Sequence, residues 1–158
     1  MNRTSKTIYF FVTFVFLSLF DKFFSDLILA NTGKLPENPL FDLIYMPNSG
    51  AAFSILQDSR LFLIIFSVTA LLLIIFYTMK HISKSSGFGI FFAAMMCSGI
   101  LCNTCERIFY GFVRDYIKLN FIDFPIFNIS DIFINISVFA IVFIIIKNNY
   151  IKNNETGN

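Results

Sequence analysis

LFLIIFSVTALLLIIFYTM, Leu61 to Met79, is 19 residues without a charge. As a helix rising about 1.5 Å per residue it covers about 28 Å, close to the hydrocarbon depth of a bilayer. A second uncharged stretch, Ser85 to Cys105, has 21 residues. The flanking segments are less pure. Thr7 to Phe20 is uncharged, then Asp21, Lys22 and Asp26 interrupt before Leu27-Ile28-Leu29-Ala30. The last apolar run, about Ile126 to Ile146, carries Asp131 near its start, and Pro125 fits just before or at the first turn of that helix. These runs predict an all-α membrane protein of one domain, residues 1–158, with spans at about 8–29, 61–79, 87–108 and 126–146. The longer connections fall at about 31–60 and 111–124.

Composition agrees. The chain is 56% hydrophobic and only 14% charged, where an ordinary soluble domain carries about 25% charged residues. Its mean hydropathy is +0.73. A single domain of this size cannot hide that much apolar surface from water, so lipid is the expected solvent for most of it. A net charge of +2 gives no argument for a nucleic-acid partner.

The first segment has a basic start, Arg3 and Lys6, as a cleaved signal peptide would. No small-residue cleavage site comes after it; charges and then more apolar residues do, which favours a retained span. Basic residues set orientation. Arg3 and Lys6 precede span one, Lys80 and Lys84 lie between spans two and three, and Lys147 and Lys152 come after span four. Both termini are therefore expected on the cytoplasmic side and the two longer loops outside.

With that topology, ionisable and amide residues of three segments fall at one depth. Asp21 lies about 21 Å from the inner start of span one at the helical rise, and Asn103 and Arg107 about 24 to 30 Å from that of span three. Asn128 and Asp131 open span four from the outside. Such residues are costly in a membrane and commonly functional. A plainer reading has them marking helix ends, with Lys22 and Asp26 reaching the interface. A structural Glu106/Arg107/Asp21 network is the other alternative, since Asn103, Glu106 and Arg107 are three and four apart on one helix.

Elimination narrows the chemistry. The single histidine, His81, lies on the expected cytoplasmic side. That leaves no Ser-His or Cys-His pair and no His-ligated zinc at the outer level. Cys97, Cys102 and Cys105 sit inside one apolar segment and read as small helix residues, although Cys102 and Cys105 have CxxC spacing. There is no glycine-rich phosphate loop. No metal or cofactor is expected. Carboxylates remain. Asp115, in the loop after span three, and Asp131 are 16 residues apart. Two carboxylates brought together in a partly dry site share a proton, so that one acts as general base on water while the other acts as general acid. The same residues suit a small proton- or cation-coupled transport subunit, which would spread its carboxylates through the membrane depth.

Several segments resemble motifs of the lipoprotein signal peptidases (signal peptidase II). Asn48-Ser49-Gly50-Ala51-Ala52-Phe53 resembles N-x-G-x-A-F/W, and Asn103-Thr104-Cys105-Glu106-Arg107 resembles the end of G-N-x-x-D-R. Phe112-Val113-Arg114-Asp115-Tyr116-Ile117 resembles V-V-D-F-I, and Phe124-Pro125-Ile126-Phe127-Asn128-Ile129-Ser130-Asp131 resembles F-P-x-F-N-x-A-D. Asp21-Lys22 resembles the opening D-Q of the first-helix motif. The resemblance implies an aspartic endopeptidase of the bacterial inner membrane that cuts diacylglyceryl-modified prolipoproteins before the lipidated cysteine. It implies Asp115 and Asp131 as the catalytic pair. Asp21, Asn48, Gly50, Asn103, Arg107 and Asn128 would support it or bind substrate, with prolipoprotein and membrane lipid as partners. It also implies a small β-structured platform outside the membrane, for which Phe41 to Met46 and Ala52 to Leu56 are the expected strands. The chain departs from the motifs at Glu106 (Asp in the family), Cys102 (Gly), Ser130 (Ala) and Ser25 (Lys). A catalytically dead scaffold is the reading that Glu106 raises.

Overall fold

The computed structural model describes residues 1–34, 39–50 and 59–156. In chain order the elements are α1 (Arg3–Ala30), β1 (Phe41–Asn48), α2 (Arg60–His81), α3 (Gly87–Phe109), β2 (Val113–Leu119) and α4 (Ile129–Thr156). The four helices are long and apolar enough to cross a membrane, α4 over Ile129–Asn148. Helices suit that solvent because every backbone hydrogen bond is closed within the segment. Their outward faces carry bare apolar side chains such as Phe16, Leu72, Phe76, Phe139 and Phe143, which lipid solvates without penalty.

α3 is the central post, packing against α1, α2 and α4. Its sequence explains why. Ala93, Ala94, Cys97, Ser98 and Gly99 are small and buried, so neighbouring backbones approach closely, as membrane helix interfaces require. The tightest place is Gly99. A Cβ there would lie 2.5 Å from the Ser130 carbonyl oxygen and 2.9 Å from Ile134 Cγ1. Gly99→Ala is therefore expected to push the start of α4 away, at a cost of about 1–3 kcal/mol. A lowered thermal midpoint in detergent is the expected result; an unchanged midpoint would contradict the close contact.

The helix ends are individually tied. Asn2 caps α1 through the Ser5 N–H at 2.8 Å, and Ser86 caps α3 through Gly89 at 3.1 Å. α3 stops at Gly111, whose φ of +92° suits glycine. The Arg60 side chain, from the start of α2, donates to the last carbonyls of α3, Arg107 at 2.8 Å and Ile108 at 2.9 Å. At the other end of the bundle Lys6 Nζ donates to the Ser83 and Ser85 carbonyls of the α2–α3 turn.

β1 and β2 form a two-stranded antiparallel sheet. Phe41 faces Leu119 and Leu43 faces Ile117; then β1 takes one extra residue, so that Met46 faces Asp115 and Asn48 faces Val113. The strand expected at Phe41 to Met46 is thus present. Its partner is β2, inside the connection read as loop 111–124. The strand expected at Ala52 to Leu56 lies outside the described residues. α4 starts at Ile129, three residues later than the apolar run suggests. Phe127 is extended instead, pairing with Ile117. Its carbonyl accepts from the N–H of Tyr116 at 3.1 Å and of Ile117 at 2.8 Å. That short pairing lays the chain before α4 along β2.

Candidate active site

The register of the sheet builds the site. Asn48 faces Val113, and Asp115 is two residues along the same face of β2, in the diagonal position. Asn48 Nδ2 accordingly donates to Asp115 Oδ2 at 2.9 Å. The Gly50 N–H turns back to Asn48 Oδ1 at 3.0 Å, fixing the amide so that its NH2 faces the carboxylate. The Gly50 carbonyl in turn accepts from Arg107 at 2.8 Å.

From the other side, the Phe127 pairing brings Asn128 against Asp115. Asn128 Nδ2 donates to Asp115 Oδ1 at 2.9 Å and to Asn103 Oδ1 at 3.1 Å. Asn128 also caps α4. Its Oδ1 accepts from the Asp131 N–H at 2.9 Å, while its own N–H donates to Asp131 Oδ2 at 3.2 Å. This reciprocal pair is a capping box with Asp at the third helical position. Asn103 Nδ2 completes the set by donating to Asp131 Oδ1 at 2.8 Å. The two aspartates are therefore held by one connected network, with Asn128 common to both. Asp115 and Asn128 are nearly inaccessible, at 2% and 3% exposure, whereas Asp131 is only partly buried. Burial pushes the Asp115 carboxyl up to about 7. Asn48 and Asn128 oppose the shift, and the nearby Asp131 and Glu106 carboxylates add to it.

Asp21 stands apart from this network. It accepts from Ser25 at 2.9 Å and from Ser130. Ser25 uses its proton on Asp21, so the buried Tyr116 hydroxyl is the donor in the Ser25–Tyr116 contact of 2.7 Å. The Tyr116 oxygen also accepts from the Ile129 N–H at 3.2 Å. Burial pushes this phenol up to about 12, so it stays protonated. Asp21 thus ties α1 to the first turn of α4, behind the aspartates.

The Glu106/Arg107/Asp21 network weighed as a structural alternative does not form. Arg107 turns toward Asn103 and Gly50, Asp21 toward the two serines, and Glu106 pairs with Arg114. Residues 106 and 107 are about 100° apart around a helix, which sends them to different neighbours. Tyr116 and Ser130 contribute without being candidates from sequence. For Ser130 and Tyr116 the available signal is their place beside the two aspartates. Among the described residues, no group of three or more His, Cys, Asp or Glu is placed to hold a metal ion.

The chain matches the family model described as signal peptidase (SPase) II over residues 12–147. It is 36% identical over 108 residues to the lipoprotein signal peptidase of Streptococcus thermophilus (strain CNRZ 1066), covering 68% of this chain and 70% of the relative. It is also 36% identical over 115 residues to the lipoprotein signal peptidase of Clostridium tetani (strain Massachusetts / E88), with the same coverage of 68% and 70%. A solved bacterial membrane enzyme, determined by the in meso method at 2.3 Å resolution, aligns with a TM-score of 0.80 at 26% identity, over 89% of this chain and 88% of that one. A second, at 1.9 Å resolution, aligns with a TM-score of 0.75 at 28% identity, over 87% and 92%. The chain belongs to the signal peptidase II family and is a multi-pass bacterial membrane peptidase.

Proposed function

We propose that the chain is an aspartic endopeptidase that removes the signal peptide from diacylglyceryl-modified prolipoproteins, cutting before the lipidated cysteine, with Asp115 and Asp131 as its catalytic pair. The observation that carries this reading is the single network that joins the two carboxylates through Asn128. The relatives, lipoprotein signal peptidases, supply the substrate class. The transport reading has no support from them, and the paired carboxylates collect at one end of the bundle. Glu106, which raises the scaffold reading, bonds to Arg114 and leaves the aspartate network intact.

The two aspartates take different parts. Asp131 is engaged as an acceptor, by Asn103 and by the Asn128 N–H, in the first turn of α4. Asp115 also accepts from two donors, but burial pushes its carboxyl up to about 7, and it is the member that carries the shared proton. A water between them gives a proton to the Asp131 carboxylate as its oxygen attacks the scissile carbonyl. Asp115 protonates the carbonyl oxygen. The resulting gem-diol returns a proton to Asp115 and collapses, while Asp131 protonates the departing amine. No acyl-enzyme forms.

The loop charges support a site on the outer side of the cytoplasmic membrane. Arg3 and Lys6, Lys80 and Lys84, and Lys147 lie at the opposite end of the bundle from the aspartates, which leaves both termini cytoplasmic.

The protein in lipid vesicles is expected to cut a diacylglyceryl prolipoprotein immediately before the modified cysteine, read by product mass. Ion flux without cleavage would replace this reading with the transport one. Asp115 also dictates a pH dependence. It must hold a proton to act as acid, and its carboxyl sits at about 7. The rate is therefore expected to fall as pH rises through about 7, approaching tenfold per unit well above it, the limb belonging to the pair as a unit. A rate that keeps rising to pH 9 would exclude Asp115 as the proton donor.

A further inference from the structure

Arg114, the residue immediately before Asp115, is gripped by Glu106 in a way that the catalytic reading does not use. The Glu106 carboxylate accepts from the Arg114 backbone N–H at 2.7 Å with one oxygen. Its other oxygen accepts from the Arg114 side chain, from Nε at 2.8 Å and from a terminal nitrogen at 2.5 Å. The guanidinium also reaches Asp26 of α1 at 3.3 Å and lies 4.5 Å over the Tyr110 ring. Both members of the pair are shielded, with side chains 14% and 15% exposed, so water competes weakly for these bonds.

The position along the strand gives the contact its meaning. β2 has β1 on one edge only. On the other, the N–H groups of Tyr116 and Ile117 are taken by the Phe127 carbonyl, and that of Arg114 by Glu106. Asp115 lies between these two anchor points. Across the sheet, Arg114 faces Pro47, which has no N–H to give. Glu106 therefore stands where a third strand would, bolting β2 to the end of α3, the helix that also carries Asn103.

We infer that Glu106 is a positioning residue for the peptidase reaction, setting the placement of Asp115 through its hydrogen bond to the Arg114 backbone N–H. This rests on Asp115 being catalytic. The bond to the Arg114 backbone N–H holds the strand without the side-chain ones, and displacement of Asp115 by a fraction of an ångström lowers turnover while leaving substrate binding alone.

The test compares Arg114→Met, which removes the side-chain contacts but keeps the backbone N–H, with the double variant Glu106→Leu/Arg114→Met, which removes the acceptor without stranding a charge. The double variant is expected to lose about tenfold or more in kcat with KM within twofold of wild type, at normal protein level. Arg114→Met alone is expected to keep kcat within about threefold. A double variant with wild-type kcat, or one that loses only KM, overturns the inference. So does Arg114→Met falling tenfold, which would give the role to the ion pair and stands as a test even where the double variant does not fold. Asp115→Asn is measured beside them. If it retains cleavage the catalytic reading itself fails; if it is inactive while the double variant is fully active, only the positioning role is lost.

Discussion

Asp115→Asn and Asp131→Asn are each expected to reduce cleavage of a lipid-modified prolipoprotein by about a thousandfold or more, and the double variant to be little worse than either alone. In the proposed mechanism each aspartate performs a step the other cannot, so loss of one leaves the second without its partner and the effects do not add. An amide at 115 cannot pass a proton to the carbonyl oxygen. An amide at 131 cannot take one from water. The substitution is nearly isosteric but not silent in the network. Both oxygens of Asp115 accept, one from Asn48 and one from Asn128. Both oxygens of Asp131 also accept, one from Asn103 and one from the Asn128 N–H. An NH2 group at either position meets a donor, which forfeits one hydrogen bond and costs about 1–3 kcal/mol. Thermal midpoint and membrane level are therefore measured beside the rate. A folded single variant that still cleaves at the wild-type rate would remove that aspartate from the chemistry.

The spans are legible because lipid demands long unbroken apolar runs, and such runs are visible without any tertiary information. Leu61 to Met79 needs no neighbour to be read as α2. The start of α4 is less legible. Ile126 and Phe127 are as apolar as the helix beyond them, but Phe127 is drawn out of that helix by its pairing with Ile117. The strand β2 reads as loop because nothing local marks it. Its partner β1 lies far earlier in the chain, and that long-range pairing makes Val113–Leu119 a strand. Asn128 and Asp131 carry a local signal as well as a motif, since Asn-x-x-Asp before an apolar run is the pattern of a reciprocal helix cap. Glu106 carries a misleading one. Its adjacency to Arg107 suggests a pairing within the helix, whereas its partner, Arg114, lies beyond the turn made by Gly111 at positive φ. Residue types along a helix face are readable from period; partners delivered by a reversal of the chain are not.

Asn128→Ala is expected to lower kcat by about a hundredfold, more than its loss of stability accounts for. The side chain does three things at once. Its Oδ1 caps α4 through the Asp131 N–H, and its NH2 is divided between Asp115 and Asn103. Loss of the cap alone costs about 0.5–2 kcal/mol of stability. Loss of the NH2 group is a separate matter. It breaks the bond from Asn128 to Asp115, and it frees Asn103, which holds Asp131 from the opposite side. Asn128→Asp separates the two effects. A carboxylate there still accepts from the Asp131 N–H, so the cap survives and the thermal midpoint should lie closer to wild type than that of Asn128→Ala. It cannot donate to Asp115 or Asn103, and it sets a third carboxylate against the pair, where like charges oppose one another's ionisation. Its kcat should therefore fall at least as far as that of Asn128→Ala, despite the better stability. If Asn128→Ala kept wild-type kcat and lost only thermal midpoint, Asn128 would be a helix cap and nothing more, and the coupling of Asp115 to Asp131 would have to run through Asn103 and Arg107 instead.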